Sequence, residues 1–220
     1  EEQRRLAALR AARRAENNRC GERTVRVHAT TDAAEAGDAD LVSIATKLDG
    51  VTSACEAVRP VLRENTPVLS IQNGLGGPDL AAEALGGERI SIGVVGGFGA
   101  SMKGPGHAHH NGMEFVRIGA FQGGLNDETA TISRIWTSAG FKVLAFDDIH
   151  KMVWEKLICN CTYSGTCAMT GLRVGEVQED PYAFQGHTGF GPGNASSQGQ
   201  EGGGFTLFPS PRKRTFTPQG

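Results

Sequence analysis

The chain has 220 residues, 39% hydrophobic and 21% charged, with 31 Gly, 9 Pro and a formal net charge of -2. That length fits one large domain or two small ones. Near-neutral charge argues against nucleic acid or an anionic membrane as the main partner, and no run approaches the roughly 18 apolar residues of a spanning helix. The N-terminal EEQRRLAALRAARR has no apolar signal region, so the chain is read as soluble and cytoplasmic, with no membrane partner.

The span 4–16 is an Ala/Leu/Arg helix pattern, and 24–28 (TVRVH) alternates like a short strand. Next, 41–46 (LVSIAT) is a mostly apolar run, the form of a strand buried on both faces of a parallel sheet. A helix is expected over 51–63, with Ala54, Val58, Val61 and Leu62 as its inner stripe. The span 68–71 (VLSI) reads as a second buried strand, ending in Gln72-Asn73-Gly74-Leu75-Gly76. A helix over 78–85 leads to a third strand over 90–95. Strand, helix, strand, helix, strand argues for a parallel α/β sheet with right-handed crossovers.

Beyond Gly104-Pro105-Gly106 the pattern changes. Residues 107–110 and 114–118 flank Asn111-Gly112, a pair that favours a tight hairpin turn. His107, His109 and His110 crowd this segment, but His110 faces away from the other two in a strand, and no Cys or carboxylate lies near in sequence, so no metal site is expected. A helix over 127–139 and a strand over 142–146 follow. A last helix starts behind Asp147-Asp148, a natural N-terminal cap.

Cys20, Cys55, Cys159, Cys161 and Cys167 are odd in number and lack a secretory signal, which points to free thiols. The spacing of the last three does not match a zinc knuckle, so they are read as buried packing thiols. From 181 to 220 there are nine Gly, five Pro, one Leu and no Val or Ile. This Gly/Pro-rich tail is expected to be disordered; five of the ten Phe lie in it, an odd content for a linker that raises a shifted reading frame. Arg212-Lys213-Arg214 is taken as a solvated charge run.

The last helix carries the best chemical signal. Lys156, Asn160 and Ser164 recur every four residues and place an amine, an amide and a hydroxyl along one helix face. Such a row can grip a small polar molecule, although an exposed helix face has the same spacing. Trp154, Leu157, Ile158 and Cys161 occupy other faces and are read as packing residues, so Lys156 is expected to have a lowered pKa suited to proton transfer. Asn73 in its glycine turn, and Lys47 after the strand 41–46, stand at the carboxyl ends of two strands, where open α/β sheets bind ligands.

Lys47 after a buried strand, Gln72-Asn73-Gly74-Leu75-Gly76, the Gly96-Gly97-Phe98-Gly99-Ala100 loop with Gly104-Pro105-Gly106, Ile118-Gly119, and Trp154-Glu155-Lys156-Leu157-Ile158-Cys159-Asn160 occur in that order. In this order and spacing the chain resembles the ketopantoate reductase (2-dehydropantoate 2-reductase) family over roughly residues 6–178. The resemblance implies an NADPH-dependent reductase of an α-keto acid, with a Rossmann domain followed by a helical domain. Lys156 would be the general acid, Asn160 and Ser164 would contact substrate, Asn73 would touch substrate and cofactor, and Lys47 and Ala100 would line the NADPH site. It also implies an organisation: 1–147 as a partial Rossmann-like NADP-binding domain, 148–180 as the first helix of a truncated helical domain, and 181–220 as the tail. Association as a homodimer through the helical domain is a further implication.

The chain departs from the family at three places. No G-x-G-x-x-G turn, whose glycines seat a pyrophosphate on a helix N-terminus, occurs before Lys47, so the first βαβ unit is expected to be missing or to lie upstream. Ser164 stands where the family has a second asparagine. The Gly-rich tail replaces helices that would add a serine and a glutamate to the site. Three readings stay open at this level: the reductase itself, a related keto-acid or imine reductase, and a non-catalytic remnant serving at most as an interaction module.

Overall fold

The computed structural model describes residues 14–17, 21–25, 27–97, 99–112 and 115–180. In chain order these form β1 (Arg14–Asn17), β2 (Gly21–Thr24), β3 (Val42–Ile44), α1 (Val51–Val58), β4 (Val68–Ser70), α2 (Gly77–Leu85) and β5 (Ile90–Gly96). They continue with β6 (Gly99–Gly104), β7 (His107–Gly112), β8 (Phe115–Ala120), α3 (Asp127–Ser138), β9 (Val143–Ala145), α4 (Ile149–Thr170) and α5 (Val174–Glu179).

Five strands make the main sheet, in the order β3-β4-β5-β8-β9. The β3, β4 and β5 strands are parallel, as their helical crossovers require. Beyond this parallel part, β8 pairs antiparallel with β5, and β9 runs parallel to β8. The physical reason is the hairpin that intervenes: after β6 and β7 the chain re-enters the sheet from the rim where β5 left it. The result is a mixed, Rossmann-like sheet with helices on both faces, followed by the start of a helical region.

Alternation along β5 assigns its two faces. Ile90 packs with Val42, Ile44, Val51, Cys55 and Ala81 beneath α1 and α2, and Ile92 and Val94 meet Ile149 of α4. On the opposite face Leu69, Val116 and Ile118 pack on Ile132 of α3, with Val95 and Trp136 at the margin. Burying a side chain the size of these leucines and isoleucines contributes about 1.5–3 kcal/mol. The outer strand β3 leaves Ser43 exposed, so it is covered on one face rather than both.

Several expectations shift at the element ends. The helix expected over 51–63 becomes α1 plus a 3-10 turn at Arg59–Val61, because Pro60 has no N–H to continue the α ladder. Residues 14–16 of the expected N-terminal helix are instead strand, within the second sheet of order β2-β1-β7-β6; the rest of that helix lies outside the described residues, as do Cys20 and the tail from 181. The strand expected over 24–28 ends at Thr24, with Val25 and Val27 exposed.

The expected hairpin turn at Asn111-Gly112 is also corrected. Those residues lie inside β7, and the chain turns instead at Pro105-Gly106, closing β6 against β7 with Gly104 opposite His107. Proline presets φ at the first corner, and Gly106 takes the left-handed φ of 67° at the second. Two competing turn signals stood six residues apart, and the stiffer one prevailed.

Helix α4 sits closely on the sheet. A Cβ at Gly119 would lie 2.6 Å from Ile149 Cβ and 2.6 Å from the Phe146 carbonyl oxygen. Gly119→Ala is therefore expected to lower stability by about 1–3 kcal/mol in urea unfolding. Gly104→Ala, where a Cβ meets nothing within 4 Å, is expected to stay within about 0.5 kcal/mol; equal effects of the two substitutions would contradict the close seating of α4.

Candidate functional site at the carboxyl rim of the sheet

Because β3, β4 and β5 are parallel, their carboxyl ends share one rim. Lys47 follows β3 and is exposed, at the start of a 3-10 turn over Leu48–Gly50. Asn73 follows β4, also exposed, and opens the turn that leads to Gly76, the left-handed cap of α2 with φ 88°. A Cβ at Gly76 would stand 3.6 Å from Leu48 Cδ1, so the two loops lie side by side. Gln72, between β4 and Asn73, accepts a hydrogen bond from the Ser70 hydroxyl. Its Nε2 is buried with no hydrogen-bond partner among the described residues, which leaves a donor for a bound acceptor.

The third contribution comes from α4. Asp148 caps it by accepting from the Lys151 backbone N–H. Ile149 packs near Ile92, and seven residues later Lys156 reaches Val95, so the helix runs along β5 in the same direction and brings Lys156 to the rim. The Lys156 ammonium donates to the Val95 carbonyl oxygen. Burial lowers the Lys156 pKa from its ordinary value, because the charged form loses water; Cys159 opposes that shift and the Arg117 guanidinium adds to it. The lowered pKa agrees with the expectation from sequence, but its cause does not. Trp154, Ile158 and Cys161, read as packing residues, form an exposed face of α4, with Trp154 54% and Ile158 44% exposed. The carbonyl end of β5, rather than those neighbours, encloses the amine.

Other members of the expected set are spread more widely. Asn160 is half-buried one turn beyond Lys156, and Ser164 a turn further is exposed. The row thus begins at the sheet and runs outward into solvent. Ala100 is exposed on β6 of the second sheet, opposite His110. Of the cysteines read as packing thiols, Cys55 is buried, with burial raising its pKa against the opposing charge of Arg59; Cys159 and Cys167 are half-buried and Cys161 is exposed. Among the described residues no group of three or more His, Cys, Asp or Glu side chains is arranged to hold a metal ion.

Sequence reasoning passed over Arg117. This residue is only 7% exposed and sits on β8 opposite Val94 of β5, on the face that α4 covers. Its guanidinium extends to the rim: a Cβ on Gly96 would stand 2.6 Å from Arg117 Nη1. The available signal was a charge at an inward position of the apolar strand FVRIGA, since fully buried arginines are rare unless engaged. A cavity of about 320 Å³ lies at the opposite, amino-terminal edge, lined by Ala39, Asp40, Arg63, Glu64, Asn65 and Thr66. There Arg63 bridges Asp38 and Asp40, and the Thr66 hydroxyl donates to the Ala39 carbonyl. Those contacts tie the β3 and β4 approaches together.

Comparison with known proteins bears on the same segments. Residues 2–123 match the family model described as ketopantoate reductase PanE/ApbA, and residues 148–185 match its C-terminal counterpart. The chain is 27% identical over 159 residues to a 2-dehydropantoate 2-reductase of Halobacterium salinarum, covering 72% of this chain and 52% of the relative. It spans about half the length of the curated relatives it matches. The crystal structure of 2-dehydropantoate 2-reductase from Geobacter metallireducens superposes with a TM-score of 0.75 at 26% identity, over 82% of this chain and 60% of that one. A ternary structure of D-mandelate dehydrogenase with NADH and anilino(oxo)acetate shares the fold, with a TM-score of 0.72 at 19% identity, over 84% of this chain and 60% of that one.

The electrostatics give a direct test. Lys156 titrated by NMR is expected to lose its proton below the ~10.4 of an ordinary lysine. Arg117→Met removes a repelling positive charge and is expected to move that midpoint upward. A midpoint at the ordinary value, unmoved by the substitution, would contradict the half-buried two-cation arrangement.

Proposed function

Because the chain belongs to the ketopantoate reductase PanE/ApbA family, we propose that it carries the active-site lysine of an NADPH-dependent α-keto-acid reductase that converts 2-dehydropantoate to pantoate. The observation that carries this reading is the placement of Lys156, half-buried at the carboxyl rim of the parallel strands and bonded to the end of β5. Support for a nicotinamide cofactor comes from the family and from the shared fold of the NADH-bound mandelate dehydrogenase.

In this reading Lys156 holds a proton at the ketone oxygen and gives it up as negative charge develops there. A half-buried ammonium suits the task, since it both stabilises the oxyanion and supplies the proton, and its lowered pKa eases release. Asn160 and Ser164 orient the substrate from the next turns of α4, and Asn73 bridges substrate and cofactor. Lys47 and Ala100 would line the NADPH site. A bound nicotinamide supplies the hydride. Within this proposal the cofactor part is 1–147 and the start of the helical part is 148–180.

The residues present fit one end of that cofactor. The unpartnered Gln72 amide and the glycine turn beside Asn73 offer donors and close backbone approach at the rim. At the other end, no G-x-G-x-x-G turn stands before Lys47 to seat a pyrophosphate. A second reading is a non-catalytic chain serving at most as an interaction module.

NADPH titration and NADPH oxidation with 2-dehydropantoate separate the two. The reductase reading expects saturable binding and turnover, with Lys156→Ala lowering kcat about 10²- to 10⁴-fold at unchanged NADPH affinity. Turnover that survives Lys156→Ala unaltered removes Lys156 from the chemistry, and undetectable NADPH binding favours the non-catalytic reading.

A further inference from the structure

We propose that the outer face of α4 is a self-association surface, on which a second copy of this chain packs its own α4 antiparallel about a two-fold axis beside Cys161. The proposal fixes a face, a direction and a register, and it stands apart from the reductase reading.

The helix itself defines the face. Ile149, Met152 and Val153 turn to the sheet, and Lys156 follows them to the end of β5. At about 100° per residue, Trp154, Ile158, Cys161, Gly165 and Met169 form a stripe on the opposite side. Trp154, Ile158 and Met169 are 54%, 44% and 74% exposed, and every exposed residue from 154 to 169 is uncharged. A helix lying on a protein surface ordinarily turns charged and polar residues outward. Here both sides are apolar, the pattern of a helix covered on both.

The order of sizes along the stripe selects the occupant. With the axis midway between Trp154 and Met169, antiparallel copies set Trp154 level with Met169 and Ile158 level with Gly165, while Cys161 comes within one residue of its counterpart. Large side chains then meet small or flexible ones. Ile158 enters the notch at Gly165, where a Cβ would meet nothing within 4 Å, and the unbranched Met169 adapts to the indole. Parallel copies would oppose Trp154 to Trp154 and Gly165 to Gly165, a bulge at one end and a gap at the other.

Charge selects the same direction. The last turn of α4 has no basic residue, so its carbonyl end lacks a compensating cation; the antiparallel partner brings Lys151, exposed in the first turn, to that end. Parallel copies would set the two Lys151 ammoniums together. The antiparallel pair uses the same patch on both copies and closes on itself. Each stripe is about 22 Å long and one helix diameter, about 10 Å, across, well short of the ~800 Å² per partner of a standard interface. The dimer is therefore a reversible one, with a Kd of about 1–100 μM.

The test is sedimentation equilibrium of the whole chain from about 1 μM to 1 mM, with oxidation by diamide as a second readout. A reversible equilibrium between monomer and dimer is expected, and diamide is expected to link the copies through Cys161. Cys161→Ser abolishes that link, whereas Cys159→Ser and Cys167→Ser leave it. Gly165→Leu fills the notch in a place open in the monomer, and Ile158→Glu puts a charge on the stripe; each is expected to weaken the dimer roughly 10- to 100-fold, with far-UV circular dichroism unchanged at the lowest concentration. A chain monomeric throughout that range, a dimer indifferent to both Gly165→Leu and Ile158→Glu, a link that survives Cys161→Ser, or association that grows past the dimer would each overturn the proposal.

Discussion

The contact between α4 and Gly119 is the constraint on which the site depends. With no side chain at position 119, Ile149 and the Phe146 carbonyl come to within 2.6 Å of where a Cβ would be, and the helix starts directly on the sheet surface. From that seat the helix advances about 10 Å over seven residues, enough to bring Lys156 to the end of β5. A helix held away by even a methyl group would lift the amine off the Val95 carbonyl. Packing in the layer of Ile92, Val94 and Ile149 and the placement of Lys156 at the rim thus follow from one close approach.

The same layer explains the charges. A sheet face covered by a helix is an expensive place for cations, and the structure puts two there. Lys156 responds with a lowered pKa, chiefly through burial, and the Arg117 guanidinium contributes to that lowering. The lysine is therefore closer to releasing its proton than a surface lysine is.

Around this centre the rim is assembled from loops that follow successive strands. Lys47 leaves β3, Gln72 and Asn73 leave β4, and Gly96 ends β5, in the left-to-right order of the sheet. The contact of Leu48 with the Gly76 turn joins the first two. Past the rim α4 continues with Thr162 and Thr166 buried and the face of Trp154 and Ile158 open. Residues on that stretch, Asn160 and Ser164, lie progressively further from the strands.

Much of this was legible in the chain itself. The apolar runs of β3, β4 and β5, the glycine turn after β4 and the Asp148 cap are local signals, because periodicity and capping are set by neighbours in sequence. Lys156, Asn73 and Lys47 could be singled out on the same basis. Local signals do not say which strand lies beside which, so the antiparallel entry of β8, the turn at Pro105-Gly106 in place of Asn111-Gly112, and the open face of Trp154 could not be read from them. Arg117 is the sharpest instance. In sequence it is one charge in a short apolar strand, 39 residues from Lys156; only the pairing of β8 with β5 and the seating of α4 bring both cations to Gly96. The sequence by itself determined the elements and the lysine, through spacing along one chain, and the tertiary structure decided what that lysine faces, because that depends on contacts between segments far apart in it.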